Sequence, residues 1–305
     1  MRIALKVDVD TFRGTREGVP ALMAGLDARG LKGSFYFSLG PDHTGWALRR
    51  VFRPGFLQKV HRTSVVSHYG LRTLLYGVLL PGPHIARRLG NVLRQTRDSG
   101  HETGIHCYDH VYWQDNVANR NAAWTSRQFL RAIDAYRATF GVAALAHCAA
   151  GWQLNPELFA LEDAFGLDYA SDTRGTHPFL PSMGQIHGHC PQLPTTLPTL
   201  DELVGRDELT VEGAIDHILD LTDTPNAAGL HVYTLHAELE GQRFLTPFLR
   251  LVDTWRARGV EVGTLGQAAA DLDLRALPRH SVIMGEIEGR SGTLGLQAQR
   301  LDALA

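Results

Sequence analysis

Two short patterns carry residues that can do hydrolytic chemistry. Asp8 and Asp10 flank a valine near the amino terminus, and His106 and His110 stand four residues apart further along the chain. Alternation in a strand places both aspartates on one face, and a four-residue spacing places both histidines within one helical turn. Asp10, His106 and His110 together offer three ligands to a divalent cation and leave a position for water. The two patterns predict a metal-dependent hydrolase.

Alternating strand-like and helix-like segments position these residues. Strand-like runs occur at 2–9, 33–39, 101–107, 143–149, 167–171, 231–236 and 260–264. Helical patterns occur between many of them, and Thr125 with Gln128 in capping-box spacing predicts the start of a helix that ends at 140. The alternation predicts an α/β fold, a distorted and partly closed (β/α) barrel with catalytic residues at the carboxyl ends of its strands. The polar residues at those ends are Asp8, Asp10, His106, Asp172 and His236.

Composition narrows the class of protein. The 305 residues, 44% of them hydrophobic, suit a single domain at residues 1–278 followed by a carboxyl-terminal tail at 279–305. A net charge of −2 gives no reason to expect nucleic acid as a partner. Three cysteines without a CxxC pair predict neither disulfides nor a thiolate zinc site, and they fit a cytoplasmic protein. The charged amino terminus predicts no signal peptide, and no apolar run approaches the roughly 20 residues of a membrane span.

An insert at about residues 43–97 has an unusual charge balance. It contains ten arginines and lysines and no aspartate or glutamate, and aromatic and aliphatic residues are interleaved throughout. Each basic residue near anionic lipid contributes about 1 kcal/mol to attachment. The insert is therefore predicted to be a lipid-facing lid that meets an anionic membrane surface. A solvated helical face is the competing interpretation.

The motifs give the sequence a resemblance to a known group of enzymes. Asp8-Val9-Asp10, His106-x3-His110 and the late His236 follow one another as in the polysaccharide deacetylase, or NodB-type, superfamily. Within it, the chain most resembles the 4-deoxy-4-formamido-L-arabinose-phosphoundecaprenol deformylases. The longer matching segments are 8–20, 149–152, 171–175, 197–199 with 205–207, 233–238 with Gly241, and 289–290 with Gly295.

The resemblance implies a division of roles. Asp8 becomes the general base, His236 the general acid, and Asp10, His106 and His110 the ligands of one divalent metal ion. Zinc is the first expectation, although manganese, cobalt and iron also suit these ligands. The implied reaction is hydrolytic deformylation of a formamido-arabinose carried on undecaprenyl phosphate, which gives formate and the amino-sugar lipid used to modify lipid A in antibiotic resistance. The implied location is peripheral, on the cytoplasmic face of the inner membrane.

Further residues receive supporting or substrate-binding roles. The family plan has Asp172 orient His236. The arginine with which many polysaccharide deacetylases orient the catalytic aspartate is missing from the segment 147–152, so Arg13 or Arg174 is expected to serve Asp8 or the substrate phosphate. The remaining two are Trp152, from a matching segment, and Glu238, which is expected either to touch substrate or to support the site.

Two alternatives stay open beside the deformylase. One is an N-acetyl sugar deacetylase of the same superfamily, which a preference for acetyl over formyl groups would identify. The other is a catalytically silent lipid-phosphate-binding protein, against which the joint presence of base, ligands and acid argues. Each motif alone has a simpler explanation, since Asp8 and Asp10 also suit a capped strand end and fifteen histidines make a chance pair at this spacing plausible.

Overall fold

The computed structural model describes residues 1–47, 71–224, 226 and 228–301, and these residues contain two sheets. The larger sheet consists of β1 (Arg2–Val9), β2 (Ser34–Ser38), β3 (Glu102–Cys107), β4 (Ala146–His147), β5 (Tyr169–Ala170), β8 (Leu230–His236) and β9 (Glu261–Gly263). The smaller sheet consists of β6 (Leu180–Met183), β7 (Ile186–His187), β10 (Arg279–Gly285) and β11 (Leu294–Leu301). Every pairing in the larger sheet is parallel, and its strand order is β5-β4-β3-β2-β1-β8 with β9 also paired to β1.

The first strand, β1, lies between β2 and β8 in the larger sheet and is covered on both faces. Its helix-covered face carries Ile3, Leu5, Val7 and Val9. Ala4 instead joins a smaller cluster with Tyr36 and Tyr169 on the concave side of the sheet. Because side chains alternate along a strand, Lys6 and Asp8 share this concave side with Ala4. The interior of the half-barrel therefore receives one lysine and one aspartate from the same strand.

Helices cover the outer face of the larger sheet. They span Val19–Asp27, Leu71–Leu75, Ile85–Asp98, His110–Asn116, Ala122–Phe140, Pro156–Ala164, Leu200–Leu203, Val211–Leu221, Leu245–Ala257 and Leu265–Ala270. Phe129 and Trp255 from two of these helices are almost fully buried in the core. None of the helices in the described part of the chain is both long and apolar enough to cross a bilayer.

The predicted α/β half-barrel is confirmed, but several local expectations need correction. The helix predicted to begin at Thr125 begins at Ala122, because the side chain of Asn121 accepts a hydrogen bond from the backbone N–H of Trp124. The segment expected to be a tail contains β10 and β11, whose residues pair mainly across a hairpin. β10 also pairs with β6, far earlier in the chain, and this long-range pairing leaves no local signal. Of the predicted lid, residues 48–70 lie outside the described residues.

Candidate active site and metal centre

Three predicted ligands come together at the carboxyl end of the larger sheet. Asp10 directly follows β1, His106 lies near the end of β3, and His110 is the first residue of the helix His110–Asn116. The Nε2 atoms of His106 and His110 lie 3.2 and 3.4 Å from Oδ1 of Asp10. All three ligand atoms lie within 4.8 Å of one another. This separation allows one ion to contact all three.

The hydrogen bonds around these ligands fit a cation. Nδ1 of His106 donates to the backbone carbonyl of Cys148 at 2.9 Å, so in a neutral ring Nε2 carries the lone pair that faces Asp10. Oδ1 of Asp10 is buried and has no hydrogen-bond partner among the described residues. Burial acts to raise the pKa of Asp10, but the positive charge of protonated His110 and His106 outweighs burial and lowers it. When both rings are neutral, as metal ligands must be, that charge is lost. An ionised carboxylate that faces imidazole lone pairs needs a positive charge between them.

The polar neighbours of the ligands hold them in place. Asp109 caps the helix of His110 by accepting from the backbone N–H of Tyr112, and its other oxygen accepts from Nδ1 of His43 at 2.6 Å. One carboxylate oxygen of Glu238 accepts from the backbone N–H groups of Asp10 and Thr11, at 3.2 and 2.8 Å. Burial and the nearby Asp10 raise the pKa of Glu238 to about 8. These contacts fit the second of its two expected roles, which is to support the site.

Asp8 lies next to the ligand cluster and is almost fully buried. Its Oδ1 atom accepts a hydrogen bond from the thiol of Cys148 at 3.3 Å. Its Oδ2 atom lies 3.8 Å from Nζ of Lys6, which is itself completely buried. The sequence analysis did not identify Lys6, although the alternation that pairs Asp8 with Asp10 places Lys6 on the same face.

His236 ends β8 and faces Asp201 rather than Asp172. Its Nδ1 atom lies 3.9 Å from Oδ1 of Asp201, which is an ion-pair distance and too long for a hydrogen bond. Its backbone N–H donates to the buried Glu240 at 2.9 Å. Burial lowers the pKa of His236, but Asp201, followed by Asp10 and Asp8, outweighs burial and raises it to about 9. The raised pKa favours the protonated imidazole that a general acid requires.

The expectation that Asp172 orients His236 is wrong, because both oxygens of Asp172 are used elsewhere. Oδ1 accepts from the backbone N–H of Ala149 at 2.7 Å and from Nδ1 of His147 at 2.9 Å. Oδ2 accepts from the side-chain amide of Gln192 at 2.8 Å. These bonds fix the chain on either side of Cys148, whose carbonyl orients His106. Asp172 thus supports the site from a distance.

The two arginines proposed to serve Asp8 have other carboxylate partners. Arg174 donates to Glu202 at 2.6 Å, and Arg13 donates to Glu17 at 2.8 Å. Arg174 also lies 5.2 Å from the ring centre of the buried Trp152, and Arg290 from the β10–β11 hairpin lies 4.5 Å from the same ring. Arg290 also pairs with Glu202, at 3.2 Å. Arg290 lies in a segment that matches the deformylases, but the sequence analysis gave it no role in the site.

The parallel half-barrel with its carboxylate and imidazole site has the architecture of polysaccharide deacetylases. A crystal structure of a putative polysaccharide deacetylase from Mycobacterium smegmatis matches it with a TM-score of 0.65 at 18% identity, over 94% of each chain. At this identity the similarity establishes the fold alone. No family model matches the chain.

Similar sequences define the family more narrowly. The chain is 34% identical over 301 residues to the probable 4-deoxy-4-formamido-L-arabinose-phosphoundecaprenol deformylase ArnD of Shewanella sediminis, covering 99% of this chain and 96% of that protein. It is 29% identical to a protein of the same name from Wigglesworthia glossinidia brevipalpis, over 93% of this chain and 98% of the relative. The chain belongs to this deformylase family and is a hydrolase that acts on amide carbon–nitrogen bonds.

Proposed function

We propose that the protein removes the formyl group from 4-deoxy-4-formamido-L-arabinose carried on undecaprenyl phosphate, using one divalent cation. The reaction consumes water and releases formate and the amino-sugar lipid for lipid A modification. The names of the relatives suggest the substrate. The observation that carries the chemistry is the cluster of Asp10, His106 and His110, with Asp8 and His236 beside it.

In this proposal each residue of the cluster has a task in amide hydrolysis. Asp10, His106 and His110 would hold the cation, for which zinc is our first choice and manganese, cobalt and iron are alternatives. When bound, such a cation acidifies water and polarises an amide carbonyl. Asp8 accepts the proton that water loses as it attacks the formyl carbon. His236, kept protonated by Asp201, donates a proton to the amine as the carbon–nitrogen bond breaks.

We further propose that the loop Gly77–Leu80 meets the membrane in which the substrate resides. Val78, Leu79 and Leu80 expose 53, 75 and 37% of their surfaces, and Arg87 and Arg88 on a nearby stretch of chain are exposed as well. Apolar side chains beside cations suit an anionic lipid surface.

The loop is also connected to the metal centre. The indole N–H of Trp46 donates to the carbonyl of Gly77 at 2.7 Å, and the ring of Trp46 stacks on His43 at 4.0 Å. His43 in turn donates to Asp109, which caps the helix that begins with His110. A loop held in this way would present the lipid-linked sugar to the site. Flotation with phosphatidylglycerol vesicles tests this, and Leu79→Ser should reduce binding while phosphatidylcholine vesicles serve as the control.

Formate release from the formamido-arabinose lipid tests the proposed activity. The metal-loaded protein should release formate, whereas chelated protein should release none and the Asp8→Ala variant should keep only a small residual rate. An N-acetyl analogue run in parallel separates the function from sugar deacetylation, because acetate release alone would identify an N-acetyl deacetylase. Lipid binding without any hydrolysis would identify a silent binding protein and refute the proposal.

A further inference from the structure

Lys6 is a completely buried lysine that the mechanism above does not use. It lies on β1 with its side chain in the interior of the half-barrel, two residues before Asp8. An ammonium group without contact with water is strongly destabilising unless an anion and hydrogen-bond acceptors compensate it. Its burial therefore calls for a specific partner.

The contacts of Lys6 identify that partner. Nζ donates to the backbone carbonyl of Ser171 at 2.8 Å and lies 5.2 Å from the ring centre of Trp152. The carboxylate that it pairs with is Asp8, whose Oδ2 lies 3.8 Å away. Ser171 directly follows β5, which is an edge strand of the larger sheet and is separated from β1 by three strands. Its carbonyl therefore anchors the ammonium group independently of β1.

Asp8 is thus held from both sides. Cys148 donates its thiol to Oδ1, and Lys6 faces Oδ2 with a fixed positive charge. A carboxylate that must accept a proton from water depends on its orientation, and a misplacement of about 1 Å costs on the order of 100-fold in rate.

We propose that Lys6 is a positioning residue for hydrolysis, whose ammonium group, anchored on Ser171, holds the carboxylate of Asp8 in the orientation that accepts the proton from water. Lys6 touches no reacting atom in this assignment, and it acts through Asp8. The inference rests on the proposed deformylation, which defines the role of Asp8.

Four variants test this role: Lys6→Met, Lys6→Gln, Lys6→Arg and Lys6→Met combined with Asp8→Asn. In formate release, Lys6→Met should lower kcat at least tenfold while KM and the affinity for divalent cation stay within about twofold, because the substrate and metal contacts remain. Lys6→Arg, which keeps the charge, should recover part of the loss. Adding Lys6→Met to Asp8→Asn should cause no further loss, since the lysine acts through the aspartate.

Lys6→Gln covers the case in which Lys6→Met does not fold, because its amide still donates a hydrogen bond in the interior without a charge. It should lose as much kcat as Lys6→Met. Lys32→Met is the matched control, since Lys32 is partly exposed and pairs with Asp27 far from the site, and it should behave as wild type. A folded Lys6→Gln variant with wild-type kcat, or full additivity with Asp8→Asn, would overturn the proposal.

A measurement without substrate separates this inference from the proposed function. The shifts in urea midpoint of Lys6→Met, Asp8→Asn and the double variant should be non-additive, because each single change leaves a buried charge unpaired. If the wild type releases no formate, the deformylase proposal fails. The double-mutant comparison of urea midpoints still decides whether Lys6 and Asp8 are coupled. Additive shifts would overturn the pairing itself.

Discussion

Asp201→Asn should move the alkaline limit of activity to lower pH. The substitution keeps the shape of the side chain that faces Nδ1 of His236 at 3.9 Å and removes its charge. His236 acts as an acid, so the protonated enzyme is the active form and activity falls as pH rises through the pKa of His236. Because Asp201 raises that pKa, its removal lowers the pH at which activity is lost.

The size of the effect follows from the distance. Two unit charges 3.9 Å apart interact with about 1 to 4 kcal/mol at effective dielectric constants between about 80 and 20, which corresponds to about one to three pH units. Asp10 and Asp8 contribute the rest of the rise in the pKa of His236 to about 9, so we expect about one to two pH units from Asp201. At pH 8 this lowers kcat/KM by about two- to tenfold, whereas at pH 6 the variant should match wild type.

The assay is the pH profile of kcat/KM for formate release, from pH 5.5 to 10, with wild type and variant in the same metal. An NMR titration of the His236 ring in chelated protein should show the same difference between the two proteins. Asp207→Asn is the control, because Asp207 belongs to the same segment and its side chain is 89% exposed. Superimposable profiles for wild type and Asp201→Asn would refute the assignment of Asp201 to His236.

Three further substitutions probe the ligands and their supports. Asp10→Asn should abolish the rise in melting temperature that divalent cation gives the wild type, since the charged ligand is lost, and calorimetry should detect no tight binding. Asp172→Asn should lower the free energy of unfolding in urea by roughly 2–4 kcal/mol at neutral pH. Burial opposes ionisation of Asp172, but His147 outweighs it and lowers its pKa, so this stabilisation is lost as pH falls and the two proteins should converge in acid. Gly14→Ala places a methyl group 1.9 Å from the carboxylate of Glu238. The carboxylate must then move away from the backbone N–H of Asp10, so cation affinity should fall about 10- to 100-fold.

Each of these has a contradicting result. Cation stabilisation of Asp10→Asn equal to wild type would place the metal elsewhere. An Asp172→Asn variant as stable as wild type at neutral pH would show that its buried hydrogen bonds are not needed. Undiminished cation affinity in Gly14→Ala would show that Glu238 does not hold the turn that carries Asp10.

The fold and the candidate ligands could be predicted from local patterns. Alternation along residues 2–9 defines β1 and places Asp8 on its inner face, because strand side chains alternate whatever the rest of the chain does. The four-residue spacing of His106 and His110 likewise keeps the two rings close together in the fold, where His110 begins a helix shortly after β3. The small sheet was missed because β10 and β11 pair across a glycine-containing hairpin without a strong hydrophobic alternation.

What the sequence by itself predicted was therefore the half-barrel and candidates for its ligands, from residue type and short-range spacing. The roles of base and acid came from the family resemblance. Only the tertiary structure decided which residues, distant in sequence, contact the candidate acid and base and change their pKa or orientation. Asp201, and not the expected Asp172, faces His236. Lys6, and not the expected Arg174, lies beside Asp8, where the carbonyl of Ser171 accepts its hydrogen bond. By residue type alone, the expected residues suited these tasks equally well. Charge–charge interactions depend on distance and burial, and distances between residues far apart in the chain are set by the packing of the whole sheet.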